Sequence, residues 1–304
     1  VRDGVDMEYI SCDICGQDDY EIVIPDCKML DGPLVRCRHC GLTYVNPRRT
    51  NFAVSEETAD ASAKRIAAWD HYAEICDASL VSDERELEHI QANFELRIQR
   101  IRQFVTEGAL LDIGCGKGHF LAVARSSGFS VIGVEPNEKT AYFARQAYDL
   151  EIIPGVLNQH IFPENSFDIV AMLHVLEHLP SPTQELYKIH RILRPGGLLF
   201  IEVPNIDTVW FRLLGQNWRQ MITDHYFFFT PQTIHALLQK VGFNVMDNQA
   251  IGKKMSVLFL ISRLRRYNRP LTSLLAKFAE RARIDDREIY LNLGDVMFIT
   301  AKKL

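Results

Sequence analysis

The stretch Leu110-Leu111-Asp112-Ile113-Gly114-Cys115-Gly116-Lys117-Gly118 constrains this chain more than any other. An apolar run broken by one acid gives way to glycines on three alternate positions. A buried parallel strand that turns abruptly into a helix has this form, because glycine reaches backbone angles closed to other residues and leaves the main chain bare. The turn is also where such a strand–helix unit meets a ligand.

The residues that follow keep the same grammar. Strands are expected over 109–113, 130–135, 151–153, 167–173 and 198–203. They alternate with helices after Gly118, over 138–148 and over 182–192, which implies a parallel sheet covered on both faces. Arg194-Pro195-Gly196-Gly197 marks a turn before the fifth strand. Thr230-Pro231 starts a helix that Gly242 ends, and 243–248 and 294–301 read as closing strands. Upstream, Leu87, Ile90, Phe94, Ile98, Ile101 and Val105 recur at three- and four-residue steps, an amphipathic helix over 83–106. A further helix is expected over 60–79, carrying Trp69, His71 and Tyr72, after a polar linker over 47–60. The segment 254–287 reads as a helical insertion with nine Lys or Arg against three acidic residues.

Near the start, Cys12-x-x-Cys15-Gly16 and Cys37-x-x-Cys40-Gly41 form two knuckles separated by 21 residues. Each turn aims two thiolates at one point, and a pair of turns makes a closed four-thiolate site for structural zinc. A segment this short buries too little core to hold itself, so the metal is expected to supply much of its folding energy. His39 lies inside the second knuckle, but Cys40 has the better spacing. The chain divides on this reading into a ribbon over 1–46, a linker and helical cap over 47–106, and an α/β domain over 107–304.

Composition sets limits on partners. The 304 residues are 47% hydrophobic and 24% charged, with a net charge of -5, so nucleic acid or acidic lipid has no global attraction to the chain. No apolar run reaches the ~18 residues needed to cross a bilayer and no leader peptide opens the sequence, so the expected compartment is the cytoplasm.

The turn itself selects its ligand. His119 occupies the place where a dinucleotide fingerprint wants its last glycine, which turns the site away from a pyrophosphate. Glu135 ends the second strand about twenty residues on, where a carboxylate takes both hydroxyls of a ribose. Leu110–Phe120, Val134-Glu135-Pro136, Phe167-Asp168-Ile169-Val170 with Val175-Leu176-Glu177-His178, and Leu193–Gly197 together resemble the successive motifs of class I S-adenosylmethionine (SAM) dependent methyltransferases. With the double CxxC and Gly41–Arg48 ahead of them, the chain is similar to the zinc-ribbon-bearing bacterial branch of that superfamily.

The resemblance implies a Rossmann-like, mostly parallel seven-stranded sheet. It implies that Asp112, Gly114, Cys115, Gly116 and Gly118 hold the methionyl end, Glu135 the ribose, and Pro136, Val156 and Leu157 the adenine edge, with Leu173 and His174 facing the sulfonium. Relatives carry Gly-Asp where this chain has Gly155-Val156, so adenine recognition falls to backbone at Val156 and Leu157, or to Asn158. The implied acceptor is a small molecule, sugar or glycan precursor, methylated on oxygen. His178, beside Glu177, and His225, in the aromatic loop Thr223–Pro231, are the expected catalytic residues, His being the natural base near neutral pH. The aromatic residues Tyr226–Phe229, Trp210 and Trp218 read as acceptor pocket or as core. An RNA-base methyltransferase and a non-catalytic SAM-binding protein are the alternatives. The first is disfavoured by a ribbon with seven acidic residues against three basic ones over 8–46. The insertion 254–287 leaves four readings open: a solvated helical insertion packed on the sheet edge, an active-site cover, a homodimer contact and a peripheral membrane contact.

Overall fold

The computed structural model describes residues 7–49, 84–157, 162–264 and 269–304, without the side chains of 84–86 and 269. The helix expected over 60–79, with Trp69, His71 and Tyr72, lies outside the described residues, as does Asn158.

Three short strands, β1 (Tyr20–Ile24), β2 (Leu34–Cys37) and β3 (Thr43–Val45), form the ribbon. A helix α1 (Glu84–Ile101) leads into the main sheet; it ends five residues earlier than its apolar stripe suggests. Then come β4 (Ala109–Ile113), α2 (His119–Ser126), β5 (Ser130–Glu135), α3 (Glu138–Tyr148), β6 (Ile152–Pro154), β7 (Phe167–Leu173), α4 (Pro182–Ile192) and β8 (Leu193–Pro204). The Arg194–Gly197 turn is absorbed into β8 as an irregularity in its pairing with β7. A two-residue strand β9 (Phe227–Phe228), helix α5 (Pro231–Lys240) and strand β10 (Phe243–Ala250) follow. Thr230 and Thr233 close a reciprocal cap at the start of α5.

The insertion expected over 254–287 is largely helical, but a pair of strands frames it. It opens and closes as a hairpin, β11 (Lys253–Ser256) against β12 (Glu288–Leu291), which carries α6 (Val257–Leu264) and α7 (Arg269–Ala282) between its arms. The charge run hid the strands, since Lys253-Lys254-Met255-Ser256 alternates without an apolar signal. β13 (Val296–Lys303) ends the chain.

The main sheet has seven strands in the order β10-β13-β8-β7-β4-β5-β6. β8, β7, β4, β5 and β6 run parallel, and β13 inserts antiparallel between β8 and β10. Successive residues of a strand face opposite ways, so the sheet builds two cores. Leu110, Ile169, Ala171 and Phe200 pack against Ile98 and Ile101 of α1 and Phe120 and Leu121 of α2. Leu111, Val170, Leu199 and Ile201 pack on the other face against Leu186 and Ile189 of α4 and Leu237 of α5.

That second core also contains Cys12, Val35, Leu42 and Tyr44 of the ribbon. The ribbon sheet is completed by β9, whose Phe227 and Phe228 pair with Tyr44 and Thr43. Asp13 takes over the cap of α4, accepting from the Thr183 backbone N–H at 2.8 Å and from the Thr183 and Ser181 hydroxyls at 2.6 and 2.7 Å. Lys240 donates to the carbonyls of Asp13 and Ile14 within the first knuckle. The ribbon is thus fused to the α4–α5 layer rather than tethered to it.

Candidate functional site

The three glycines of the turn do different work. All are left-handed, with φ of 70°, 54° and 78° at Gly114, Gly116 and Gly118. A Cβ at Gly114 would meet Val175 at 2.6 Å, and one at Gly118 would meet Leu150 at 2.7 Å, so these two allow close packing. A Cβ at Gly116 would meet nothing within 4 Å, and Gly116 lines a cavity of about 480 Å³. Gly114 lines it as well, so Gly114 and Gly116 both face the cavity, and only Gly116 is open on its Cβ side.

Beside it, Asp112 is buried, and its Oδ1 is without a hydrogen-bond partner. Burial and the neighbouring Glu135 carboxylate raise its pKa well above the ordinary carboxylate range. An orphaned buried carboxylate oxygen on a cavity wall requires a donor or a cation, and the α-ammonium of SAM supplies both. The methionyl end of SAM fits these residues. Glu135 is held behind the turn: its Oε2 accepts from Gly116 N–H at 2.8 Å and its Oε1 from Asn137 N–H at 2.9 Å. Burial raises its pKa, and those two N–H groups oppose the rise. Each oxygen keeps a second lone pair for a ribose hydroxyl. Cys115 also lines the cavity, whereas Gly118, Glu135, Pro136, Val156 and Leu157 do not. Val156 is exposed, and Leu157 is a core residue whose carbonyl already accepts from Lys188 Nζ.

The far wall is polar, and most of it lies outside the residues expected from sequence. Arg97 of α1 donates through Nε and a terminal nitrogen to both oxygens of Glu202 on β8, each at 2.8 Å, with both residues buried. His174 follows β7 at a left-handed φ of 58°, its backbone N–H bonded to the Glu202 carbonyl. Its ring is bracketed by carboxylates, Nε2 lying 2.9 Å from Glu202 Oε1 and Nδ1 3.3 Å from Glu177 Oε1. Burial lowers the imidazole pKa, but Glu202 and Glu177 outweigh it and the net shift is upward. Glu202 is driven well below the ordinary range against the effect of its burial, by Arg97 and His174. Leu173, His174, Arg97 and Glu202 all line the cavity. A signal for this wall existed: Glu202 is the one charge in Leu-Leu-Phe-Ile-Glu-Val-Pro, and a carboxylate in a buried strand needs a cation.

Glu177, His178 and His225, expected to be catalytic, do come together, but behind His174. One ligand atom from each lies within 4.8 Å of the others, all three residues are buried, and none lines the cavity. The His178 and His225 rings stack edge-on with centroids 4.6 Å apart. His178 Nδ1 donates to the Asp224 carbonyl at 2.8 Å. Burial and the neighbouring His178 lower the His225 pKa to about 3, so that ring is neutral. Glu177 is lowered against its own burial, chiefly by the hydrogen bond to His174 and the charge of His178. It joins the buried group to the cavity wall through His174. The aromatic loop is core: Tyr226, Phe227, Phe229 and Phe228 are all buried, the first three in the ribbon-side core and Phe228 with Trp218 in a third cluster. Trp210 is exposed and donates to the Leu293 carbonyl.

At the ribbon, the four cysteine sulfurs lie within 4.8 Å of one another. Cys12 and Cys40 sulfurs are 3.4 Å apart and Cys15 and Cys37 sulfurs 3.5 Å, near the roughly 3.8 Å edge of a tetrahedron with 2.3 Å metal–sulfur bonds. The left-handed Gly16 and Gly41 return N–H bonds to the Cys12 and Cys37 carbonyls, turning each knuckle inward. Burial pushes the Cys40 thiol up to about 11 and Cys12 further, whereas Cys37 is held down against its own burial by the backbone N–H groups of Cys40 and His39. Four sulfurs converging from two inward turns fit a bound dication.

A parallel sheet closed by an antiparallel last strand, with a glycine turn under a cavity floored by an unpartnered aspartate, is the architecture of SAM-dependent methyltransferases. Residues 86–248, more than half of the 304-residue chain, match the family model described as a methyltransferase domain, and the chain belongs to that family. It is 31% identical over 112 residues to a probable SAM-dependent methyltransferase of Mycolicibacterium smegmatis, covering 36% of this chain and 44% of that protein. It is 29% identical over 152 residues to a ubiquinone biosynthesis O-methyltransferase of Pseudomonas aeruginosa, covering 45% of this chain and 65% of the relative. The chain therefore matches less than two thirds of the length of either. Among solved structures, a SAM-dependent methyltransferase from Thermotoga maritima superposes with a TM-score of 0.51 at 19% identity, over 79% of this chain and 97% of that one. One from Archaeoglobus fulgidus gives 0.50 at 21% identity, over 77% and 99%. At these identities the likeness is one of fold.

Proposed function

We propose that this chain transfers the methyl group of SAM to an oxygen of a small-molecule, sugar or glycan-precursor acceptor. The observation that carries the reading is a single cavity with a donor-seeking Asp112 and bare Gly116 at one end and the His174–Glu202–Arg97 wall at the other. SAM supplies a sulfonium leaving group, which leaves the protein to align the acceptor and manage its proton. In this reading Asp112 and Gly116 hold the methionyl end and Glu135 the ribose. The backbone at Val156 and Leu157, with Pro136, faces the adenine edge.

His174 is the ring that meets the acceptor. Glu177 orients it, and His178 and His225 act as positioning residues that fix Glu177 from behind. The preference for oxygen is supported by the name of the Pseudomonas aeruginosa relative. Cys12, Cys15, Cys37 and Cys40 hold one structural zinc, as in the zinc-ribbon-bearing branch. The expected cytoplasmic setting is compatible with the described residues, among which no helix is long and apolar enough to cross a membrane. Leu271, Leu274 and Phe278, exposed on α7, support a peripheral or self-association contact there.

Calorimetry with S-adenosylhomocysteine tests the cofactor reading. Glu135→Ala removes two charge-assisted bonds to the turn and the ribose anchor, and should weaken binding by about tenfold to a hundredfold. Unchanged affinity would falsify the cofactor assignment. A screen with labelled SAM over sugars, nucleotide-sugars, phenolics and RNA then identifies the acceptor, and turnover of RNA alone would overturn the small-molecule reading.

A further inference from the structure

Behind the cavity wall, three buried side chains converge on one point. Glu177 and His178 stand side by side on the short turn Leu176–His178 that follows β7, and His225 comes from the aromatic loop. The two segments are tied together. Tyr226 N–H donates to the Glu177 carbonyl at 2.9 Å, and His178 Nδ1 donates to the Asp224 carbonyl at 2.8 Å. The Tyr226 carbonyl in turn accepts from Val45 N–H of the ribbon at 2.9 Å, so the loop is held from both sides. One ligand atom from each of the three residues lies within 4.8 Å of the other two. That is close to the spread of roughly 4.2 Å that ligands about 2.1 Å from one ion permit.

The hydrogen bonds these groups already make determine where their lone pairs are. His178 commits its Nδ1 proton to Asp224, which in the neutral ring puts the lone pair on Nε2. The His225 ring donates to the Gln220 backbone carbonyl, while its Nδ1 is buried with no hydrogen-bond partner among the described residues. Its proton is therefore on Nε2 and its lone pair on Nδ1. Glu177 Oε2 is likewise buried without a hydrogen-bond partner among the described residues, its Oε1 lying 3.3 Å from His174 Nδ1. Orphaned acceptors at this depth call for a ligand. A single water brings two protons to three acceptors, whereas a dication answers all three. Two imidazoles and one carboxylate, each ring bonded through its other nitrogen to a backbone carbonyl, make a donor set for a first-row divalent metal.

We propose that Glu177, His178 and His225 form a second metal site, distinct from the four cysteines, that takes a divalent transition-metal ion. The ion binds Glu177 Oε2 and leaves Oε1 to His174. It is the means by which the two buried histidines position Glu177, and through Glu177 the ring on the cavity wall. That consequence rests on the methyltransferase reading of the cavity; the metal site itself does not.

The test is metal counting on the untagged full chain, dialysed to equilibrium against Co2+, with X-ray absorption reading the shell of each metal present. The wild type should hold about one ion per chain in a nitrogen and oxygen shell with imidazole scattering, besides any ion in a sulfur shell. His225→Ala and Glu177→Gln should each weaken binding of the nitrogen- and oxygen-bound ion by about tenfold or more while leaving the sulfur-bound ion in place. A wild type whose metal is all sulfur-bound overturns the proposal, as does equal occupancy in wild type and a folded variant. In either case the orphaned atoms hold a buried water instead. Should neither variant fold, the wild-type shell decides alone: two imidazoles support the site, and fewer overturn it. The readout needs neither cofactor nor acceptor, so its failure is distinct from a failure of the methyltransferase reading, which S-adenosylhomocysteine binding tests.

Discussion

The ribbon and the far wall of the cavity pose the same physical problem and solve it over different distances. In each, several ionisable groups converge in a desolvated spot. At the ribbon the groups arrive on two local turns, each a CxxC closed by a left-handed glycine. At the wall, Arg97, His174 and Glu202 arrive from α1, the end of β7 and β8, with Arg97 and Glu202 105 residues apart. Local convergence leaves a spacing in the sequence, and long-range convergence leaves only a misplaced charge in an apolar strand. The two regions also lie on opposite layers of the sheet, the ribbon with α4 and α5 and the wall beneath α1. The ribbon therefore meets the sheet through a shared core on the face away from the wall.

That difference can be broken most severely at the ribbon. Cys37→Ser removes one of four ligands from the proposed zinc site, and structural zinc in such sites contributes about 10–16 kcal/mol of apparent binding energy. Because the ribbon shares its core and its β9 strand with the main domain, the whole chain should lose its cooperative unfolding transition near the wild-type temperature. Differential scanning calorimetry beside metal analysis checks this. Two separate transitions, or a metal-free wild type that unfolds as before, would show the ribbon to be an independent or metal-independent module.

Next in size is Arg97→Met, which strands the buried Glu202. Breaking a buried pair on one side costs about 3–5 kcal/mol, measured by urea denaturation. Adding Glu202→Leu should recover part of it, because both charges are then gone. A double variant no more stable than Arg97→Met would mean that His174 needs Glu202 more than Glu202 needs Arg97.

The glycines give a smaller effect and a finer distinction. Gly114→Ala collides with Val175 at a left-handed φ and should cost about 2–4 kcal/mol of stability, from overpacking plus the backbone penalty. Gly116→Ala meets only open space, so it should cost about 1–2 kcal/mol in stability while reducing S-adenosylhomocysteine affinity by more than that loss of stability explains. If both variants lose affinity in simple proportion to stability, Gly116 has no special place under the ligand.

The smallest effect is one of pH. The upward-shifted His174 contributes stability fully present below the unfolded histidine value of about 6.5 and lost as pH rises through its higher folded value. Glu202, shifted down, contributes stability present above the unfolded carboxylate value and lost as pH falls through its lowered one. The difference in denaturation free energy between wild type and His174→Gln should therefore be greatest in mildly acidic solution and shrink toward alkaline pH. A difference that grows with pH would contradict the bracketed imidazolium.

Much of this was legible in residues close in sequence. The strand–turn–helix at Leu110–Gly118, the alternation that follows it and both knuckles each declare themselves within a dozen positions, because steric freedom at glycine and ligand geometry at cysteine are local properties. What escaped was of two kinds. The β11 strand escaped because charges carry no periodic apolar signal, although it faces a cavity. The order of the histidines escaped because burial is a property of the packed molecule: His174 is on the wall, while His178 and His225 lie behind it.

The sequence by itself determined the class of fold, the turn that offers backbone to a ligand and the four sulfurs. Only the tertiary structure decided which two of the three glycines line the cavity and which side chains make the opposite wall. It alone fused the ribbon to the α/β core and folded the basic insertion over the cavity. Those choices depend on contacts between elements a hundred residues apart, where the cost of an unpaired buried charge is settled by whatever the fold brings beside it.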